Sequence, residues 1–173
     1  MRTAADGAAV RDRQTDMRLA NNYSTSSSPA SGRLHHIGFV VRSIGDVAEE
    51  FSRSIGGAWD GRIILDPLQG VRVSFLTGPV PGDALVELVE PAAEGSPVEN
   101  FLQKGGGLHH LCYEAGDLEK QLQYSRSAGA LIVRPPLPAT AFDGRRIAWV
   151  YTKAKLLVEY LEMGPAPEGE VSR

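Results

Sequence analysis

All four histidines of this chain stand in two adjacent pairs, His35-His36 and His109-His110. Each pair opens an apolar, strand-like segment, Leu34-His35-His36-Ile37-Gly38-Phe39 and then Leu108-His109-His110-Leu111-Cys112-Tyr113. Downstream of each lies a glutamate-bearing segment of the same character, Leu85-Val86-Glu87-Leu88-Val89-Glu90 and Leu157-Val158-Glu159-Tyr160-Leu161-Glu162. The order His-His, Glu, His-His, Glu describes two fused half-modules. One imidazole and one carboxylate from each half make a donor set for a shared divalent ion. Such an ion polarises a carbonyl and stabilises the charge that develops when a proton leaves the neighbouring carbon.

Strand alternation separates the members of each pair, because successive side chains point to opposite faces. His35 shares a face with Ile37, Phe39 and Val41, an apolar set suited to packing under a helix, whereas His36 shares one with Gly38. In the second copy His109 goes with Leu111 and Tyr113, and His110 with Cys112 and Glu114. His36 and His110 are therefore the candidate ligands. Parity does not separate Glu87 from Glu90, or Glu159 from Glu162. Glu87 and Glu159 are preferred because they sit among apolar neighbours, where an unpaired carboxylate is costly and a cation compensates it. Glu90 and Glu162 read as strand ends in water.

The elements that must carry these residues follow from local patterning. Residues 1–32 are rich in Ala, Ser, Asn, Asp and Arg, with few large apolar side chains, and read as a disordered N-terminal tail. Residues 33–163 form the domain, with modules at 33–92 and 107–163 and a linking helix at 96–104; residues 164–173 form a C-terminal tail. In the first module Ser43 and Asp46 suggest a capped helix that buries Val47, Phe51 and Ile55 and stops at Gly56-Gly57, followed by strands near 62–65, 71–76 and 84–90. The linking helix opens with Ser96-Pro97-Val98-Glu99, a capping box with proline at the first helical position. The second module repeats the plan, with a helix over 117–127 and strands near 131–134, 146–151 and 156–162. The fold class is α+β: two pseudo-symmetric βαβββ modules forming a curved mixed sheet around a metal-binding cleft, helices on one face.

Composition excludes several classes of partner. The 173 residues carry a formal charge of -3 without a long basic run, which argues against nucleic acid and leaves a small-molecule substrate. No segment approaches the roughly 18 apolar residues of a membrane span. The single cysteine, Cys112, reads as a small core residue and gives no sign of an oxidising compartment, so a cytoplasmic location is expected.

At these residues the chain resembles the vicinal oxygen chelate superfamily, which includes glyoxalase I, extradiol dioxygenases, methylmalonyl-CoA epimerases and antibiotic-resistance proteins. The resemblance spans Leu34 to Met163. Within the superfamily it is nearest to the epimerases through Gln69-Gly70-Val71-Arg72-Val73-Ser74-Phe75-Leu76, Val86-Glu87-Leu88-Val89-Glu90-Pro91, Ser96-Pro97-Val98-Glu99-Asn100-Phe101-Leu102 and Gly106-Gly107-Leu108-His109-His110. It implies that His36, Glu87, His110 and Glu159 bind one divalent metal ion (Co, Ni, Zn, Mn or Fe), that the substrate is an acyl-CoA or another carbonyl compound, and that the protein is a homodimer.

In this reading Glu159 is the catalytic base and Glu87 its opposite number, giving epimerisation; a single base returning the proton to the neighbouring carbon would give isomerisation. Some epimerases carry an acid in the Gln-Gly-Val strand, where this chain has Val73 and Ser74; that base is absent, or Glu87 takes its part. The usual His-Pro-Lys turn is Tyr151-Thr152-Lys153 here, with Leu156 at a customary glycine. Arg72, Arg134, Arg145 and Arg146 are candidates for holding a substrate anion. The stretch from Pro135 to Arg146 is placed for a lid or specificity loop, or for a rigid proline-bearing connection. The alternatives are another metal-dependent lyase, glyoxalase or tailoring enzyme on the same scaffold, and a metal-free binding or resistance protein.

Overall fold

A computed structural model describes residues 31–164. Their elements are β1 (Ser31–Val40), α1 (Ile44–Ile55), β2 (Ala58–Trp59), β3 (Ile64–Asp66), β4 (Val71–Thr77), β5 (Leu85–Pro91), α2 (Glu99–Gln103), β6 (Gly107–Ala115), α3 (Leu118–Ser127), β7 (Leu131–Pro138), a 3-10 turn (Thr140–Phe142), β8 (Arg146–Tyr151) and β9 (Leu157–Glu162). The strands join one curved sheet in the order β2-β4-β5-β1-β6-β9-β8-β7, with β3 added on β4. The α+β class and the two-module plan are as expected. The second half is βαβββ, while the first gains the two-residue β2. The expected tails at 1–30 and 165–173 lie outside the described residues. β1 begins at Ser31, ahead of the expected boundary at residue 33.

The halves meet where β1 pairs antiparallel with β6; each of these central strands pairs on its other side with a glutamate strand, β1 with β5 and β6 with β9, both parallel. This arrangement brings two histidine strands and two glutamate strands side by side at the middle of the sheet. Ile44, Ala48, Leu76 and Leu88 fill the core beneath α1, with Phe39, Val41, Phe51 and Ile55 packed around them. Leu118, Leu122, Ala148 and Val150 do the same beneath α3.

Several local expectations change once distant strands are present. Ser43 occupies the N-cap position of α1 but its side chain makes no cap bond. The Ile44 N–H donates instead to Glu90 Oε2 at 2.6 Å, and Arg72 Nε donates to Glu90 Oε1 at 2.5 Å. Glu90 is therefore buried at 6% exposure, not a strand end in water, and serves as a cap supplied from β5. Glu162 is part-buried and clasped by Arg146. At the linking helix Glu99 reaches back to the Gly95 N–H, whereas the Ser96 hydroxyl donates to the Gly70 carbonyl, so helical geometry starts only at Glu99. Asp117 caps α3, accepting from the Lys120 N–H. Pro135 and Pro136 lie inside β7, which tolerates them because it is an edge strand. The segment after β7 folds into the 3-10 turn and buries Phe142 at 5% exposure. Through Ala139, Ala141 and Phe142 it forms part of the cavity wall.

Candidate metal centre

Gly38 faces His110 across the β1/β6 ladder, and Cys112 faces His36. A small residue thus sits opposite each candidate histidine and leaves room for its ring. At Gly38 the room is obligatory, because an added Cβ would stand 2.6 Å from His110 Nε2 and closer still to Cε1 and Nδ1. Glu87 enters from β5 beside Phe75 of β4, and Glu159 from β9 beside Trp149 of β8. All four side chains are buried, the most exposed being Glu87 at 5%.

The structure brings the four chosen residues together. His36 Nε2 lies 3.0 Å from His110 Nε2, 3.4 Å from Glu87 Oε2 and 3.0 Å from Glu159 Oε2. His110 Nε2 lies 3.3 Å from Glu87 Oε2 and 3.6 Å from Glu159 Oε2. Donors held about 2.1 Å from one cation stand about 3.0 Å apart at right angles and about 3.4 Å apart at tetrahedral angles, so this spacing fits a first-row divalent ion. Glu159 Oε2 also lacks a hydrogen-bond partner despite its burial and its closeness to His36 Nε2. Closeness without hydrogen-bond geometry is what lone pairs aimed at a common point produce. His36, Glu87 and His110 group as donors that fit the expected metal, with Glu159 Oε2 beside both imidazoles.

The electrostatics agree. Burial pushes the His36 and His110 pKa values down, but the facing Glu87 and Glu159 outweigh it and hold both imidazoles above their ordinary range. Burial pushes the two carboxyls up, and the two imidazoles outweigh it in turn, holding both low. The negative field that keeps protons on the rings is the field that favours a cation between them. His109 is depressed to about 4 by burial and then by His110, and His35 is lowered by burial and then by His36. The Cys112 thiol is pushed up by burial and by Glu159, which leaves it unreactive.

The centre opens into a cavity of about 560 Å³ with largely apolar walls, including Val71, Val73, Val89, Ala139, Ile147 and Leu157. Phe142 stacks on His36 with ring centroids 5.8 Å apart, Phe75 meets His36 edge-on at 5.7 Å, and Trp149 meets His110 edge-on at 4.7 Å. These aromatics escaped the sequence reading, although Phe75 and Trp149 hold equivalent places in the repeat and were detectable on that ground. At the rim Asp66 accepts from the Gln69 and Thr140 N–H groups, and Arg134 donates to Gln69 Oε1 and the Leu68 carbonyl. Gln69 Nε2 is buried without a partner and lines the cavity with Arg134. Of the four arginine candidates only Arg134 lines it. Arg72 is tied to Glu90, Arg146 to Glu119 and Glu162, and Arg145 lies 3.8 Å from Glu114. The β4 position expected to carry an acid is the apolar Val73, while Ser74 is turned away to accept from Trp59 and donate to the Arg62 carbonyl.

The other histidines depart from simple alternation. Phe39 and Val41 pack under α1 as expected, but His35 does not follow them: it sits edge-on to Phe142 at 5.4 Å, with its Nδ1 2.9 Å from His36 Nδ1. His109 lines the cavity, packs edge-on to Phe101 at 4.8 Å, and holds its Nδ1 3.1 Å from His110 Nδ1.

Residues 35–149 match the family described as the Glyoxalase/Bleomycin resistance protein/Dioxygenase superfamily, and the chain belongs to that superfamily. Among its relatives, an ethylmalonyl-CoA/methylmalonyl-CoA epimerase of Cereibacter sphaeroides is 32% identical over 124 residues, covering 70% of this chain and 90% of the relative. The crystal structure of methylmalonyl-CoA epimerase from Mycobacterium tuberculosis is 28% identical with a TM-score of 0.68, covering 83% of this chain and 95% of that one. A hypothetical protein from Bacillus halodurans C-125 is 30% identical with a TM-score of 0.69, covering 81% of this chain and all of that one.

Proposed function

We propose that the protein is a divalent-metal-dependent epimerase acting at the carbon beside a carbonyl, with methylmalonyl-CoA or a related acyl-CoA as substrate. The observation that carries this reading is the convergence of His36, Glu87, His110 and Glu159 at the head of an apolar cleft, in a chain akin to methylmalonyl-CoA epimerases. These four residues would hold the ion, which when bound supplies Lewis acidity to two neighbouring substrate oxygens and lowers the cost of losing the adjacent proton. Glu159, whose Oε2 lacks a hydrogen-bond partner, takes the proton from one face. Glu87, on the strand at the other side of the β1/β6 pair, delivers a proton to the opposite face in turnovers that it enters protonated, and the two carboxyls exchange roles in the reverse direction. Phe75, Phe142 and Trp149 keep bulk water from the reacting carbon and strengthen every charge interaction there. The bare Gln69 Nε2 donates to a substrate oxygen at the rim, where Arg134 holds the Gln69 amide in place.

A second reading is favoured by Val73. With an apolar residue where a dedicated second acid would stand, one carboxylate can return the proton to the carbon next to the one it left, giving a glyoxalase-type isomerisation. Metal content of the purified protein and of His110→Ala, followed by solvent-deuterium incorporation into methylmalonyl-CoA, separates the cases. About one ion per chain, lost in the variant, with deuterium entering the substrate is the expected result. Metal without exchange overturns the substrate, and no metal after reconstitution overturns the four-ligand centre.

A further inference from the structure

Adjacent residues on a regular strand point to opposite faces, so the ring nitrogens of neighbouring histidines should not meet. Here they meet twice, and the register explains why. Leu34 pairs with Tyr113 and His36 with Cys112, so two steps on β1 answer one on β6 and His35 is the extra residue. Gly38 pairs with His110 and Phe39 with Leu108, which makes His109 the extra residue on β6. Each is a bulged residue of its strand, and these two bulges stand at equivalent places in the repeat. A bulge re-aims a side chain and is often found beside active sites.

We infer that His35 and His109 are positioning residues, each accepting at its own Nδ1 the Nδ1–H of the histidine that follows it. This rests on the metal reading of the centre. His36 and His110 point their Nε2 atoms at one another and at both carboxylates, so a cation there must be met by bare Nε2 nitrogens. A neutral imidazole bare at Nε2 carries its proton at Nδ1, and that proton needs an acceptor. In most metal sites the acceptor is a carboxylate or a backbone carbonyl. The nitrogens at 2.9 Å and 3.1 Å occupy that place here, which requires His35 and His109 to be neutral and protonated at Nε2. Phe142 packs edge-on against His35, and Phe101 against His109, fixing both ring planes. On the first side the Cys112 thiol also faces His36, but sulfur is a weak acceptor. On the second side Gly38 holds the equivalent place, so His109 has no such competitor.

The test replaces each positioning residue in two ways and reads zinc affinity by competition with a chromophoric chelator. His109→Phe keeps a ring and removes the acceptor; His109→Asn supplies an oxygen near the lost Nδ1. We expect the Phe variant to bind zinc about 10- to 100-fold more weakly and the Asn variant to recover most of the loss, with the same ordering at residue 35. Equal weakening in both variants means packing alone, and no weakening in either means no role; both overturn the inference. Nitrogen-15 spectra of the ring nitrogens, with four histidines in the chain, read the tautomers directly in zinc-loaded and metal-free protein. Bare Nδ1 at residues 35 and 109 supports the pairs, and protonated Nδ1 there overturns them. Failure of the wild-type protein to bind zinc sinks the metal reading of the centre while leaving the metal-free spectrum to decide the pairing.

Discussion

Gly38→Ala isolates the geometry of the centre, because it changes one methyl group and no ligand. Gly38 does not adopt a positive φ, so alanine is acceptable to its backbone, and the whole effect falls on the facing ring. The new Cβ would stand 2.6 Å from His110 Nε2, whereas nonbonded carbon contacts are comfortable near 3.5 Å. Because Cε1 and Nδ1 would stand closer still, the ring must retreat by well over about 1 Å, many times the tolerance of about 0.2 Å on a metal–ligand distance. His110 lies between Gly38 and Trp149, whose ring centroid is 4.7 Å away, so retreat also disturbs the aromatic wall. Zinc affinity should fall at least about 100-fold, roughly 3 kcal/mol, and metal-free stability by about 1–3 kcal/mol from overpacking. Gly45→Ala is the control: nothing lies within 4 Å of its Cβ position and it is on α1, so metal binding should be untouched and stability slightly raised. Chelator competition and urea unfolding with EDTA give both quantities. A Gly38→Ala protein that folds and binds zinc with wild-type affinity would refute the geometric argument.

Three further outcomes follow from other parts of the molecule. Glu90→Ala should destabilise the protein by about 2 kcal/mol in urea unfolding, since it strips the cap from α1 and the partner from Arg72, whereas Ser43→Ala should cost less than about 0.5 kcal/mol; equal costs would return the cap to Ser43. Val73→Glu places an acid on the bare β4 wall and should raise deuterium exchange into methylmalonyl-CoA by at least about 10-fold if a second acid/base group limits the reaction; an unchanged rate would show that Glu87 already serves. Metal uptake should release protons, because Glu87 and Glu159 hold the His36 and His110 imidazoles above their ordinary pKa and the ion displaces what they bind. Affinity therefore falls as pH is lowered, and calorimetry in two buffers of different ionisation enthalpy between about pH 6 and pH 8 would contradict this if it found no proton release.

The repeat made the two halves and their helices legible, since helix stops such as Gly56 are local and strand parity is a two-residue rule. Parity with small facing neighbours also selected the histidines whose Nε2 atoms converge. The failures share a cause, which is competition from residues far away in the chain. Ser43 carries the right chemistry for a cap, yet the helix-end donor that is satisfied is the Ile44 N–H, reached by Glu90 from a neighbouring strand. Arg72 and Arg146 look free in sequence because the carboxylates that hold them lie on other elements. His35 and His109 broke alternation because a bulge is a property of two paired strands, and a single strand does not announce it. The β4 residue facing the cleft was left between Val73 and Ser74, and only the pairing with β3 and the Trp59 contact decides it.

The internal repeat also raises a question that the ligands alone do not answer. A centre built from two matched His/Glu pairs has approximate two-fold symmetry, and an asymmetric substrate could sit in it in two orientations of nearly equal energy. In the proposed reaction only one of these brings the reacting C–H bond to Glu159. The walls break the tie. Trp149 stands where the other half has Phe75, which fills more volume beside His110 and narrows that side. The rim network of Asp66, Gln69 and Arg134 stands at one edge of the cavity, where β3 and its following turn approach β7 and the 3-10 turn. A polar part of the substrate is drawn to that edge, where Gln69 and Arg134 line the cavity. In the proposed reading, orientation is set by residues in which the two halves have diverged, and the metal seat by residues in which they have not. Gln69→Ala should therefore raise KM and let substrate bind in the unproductive orientation, lowering kcat without changing zinc affinity; loss of zinc would show that the rim and the seat are not separable.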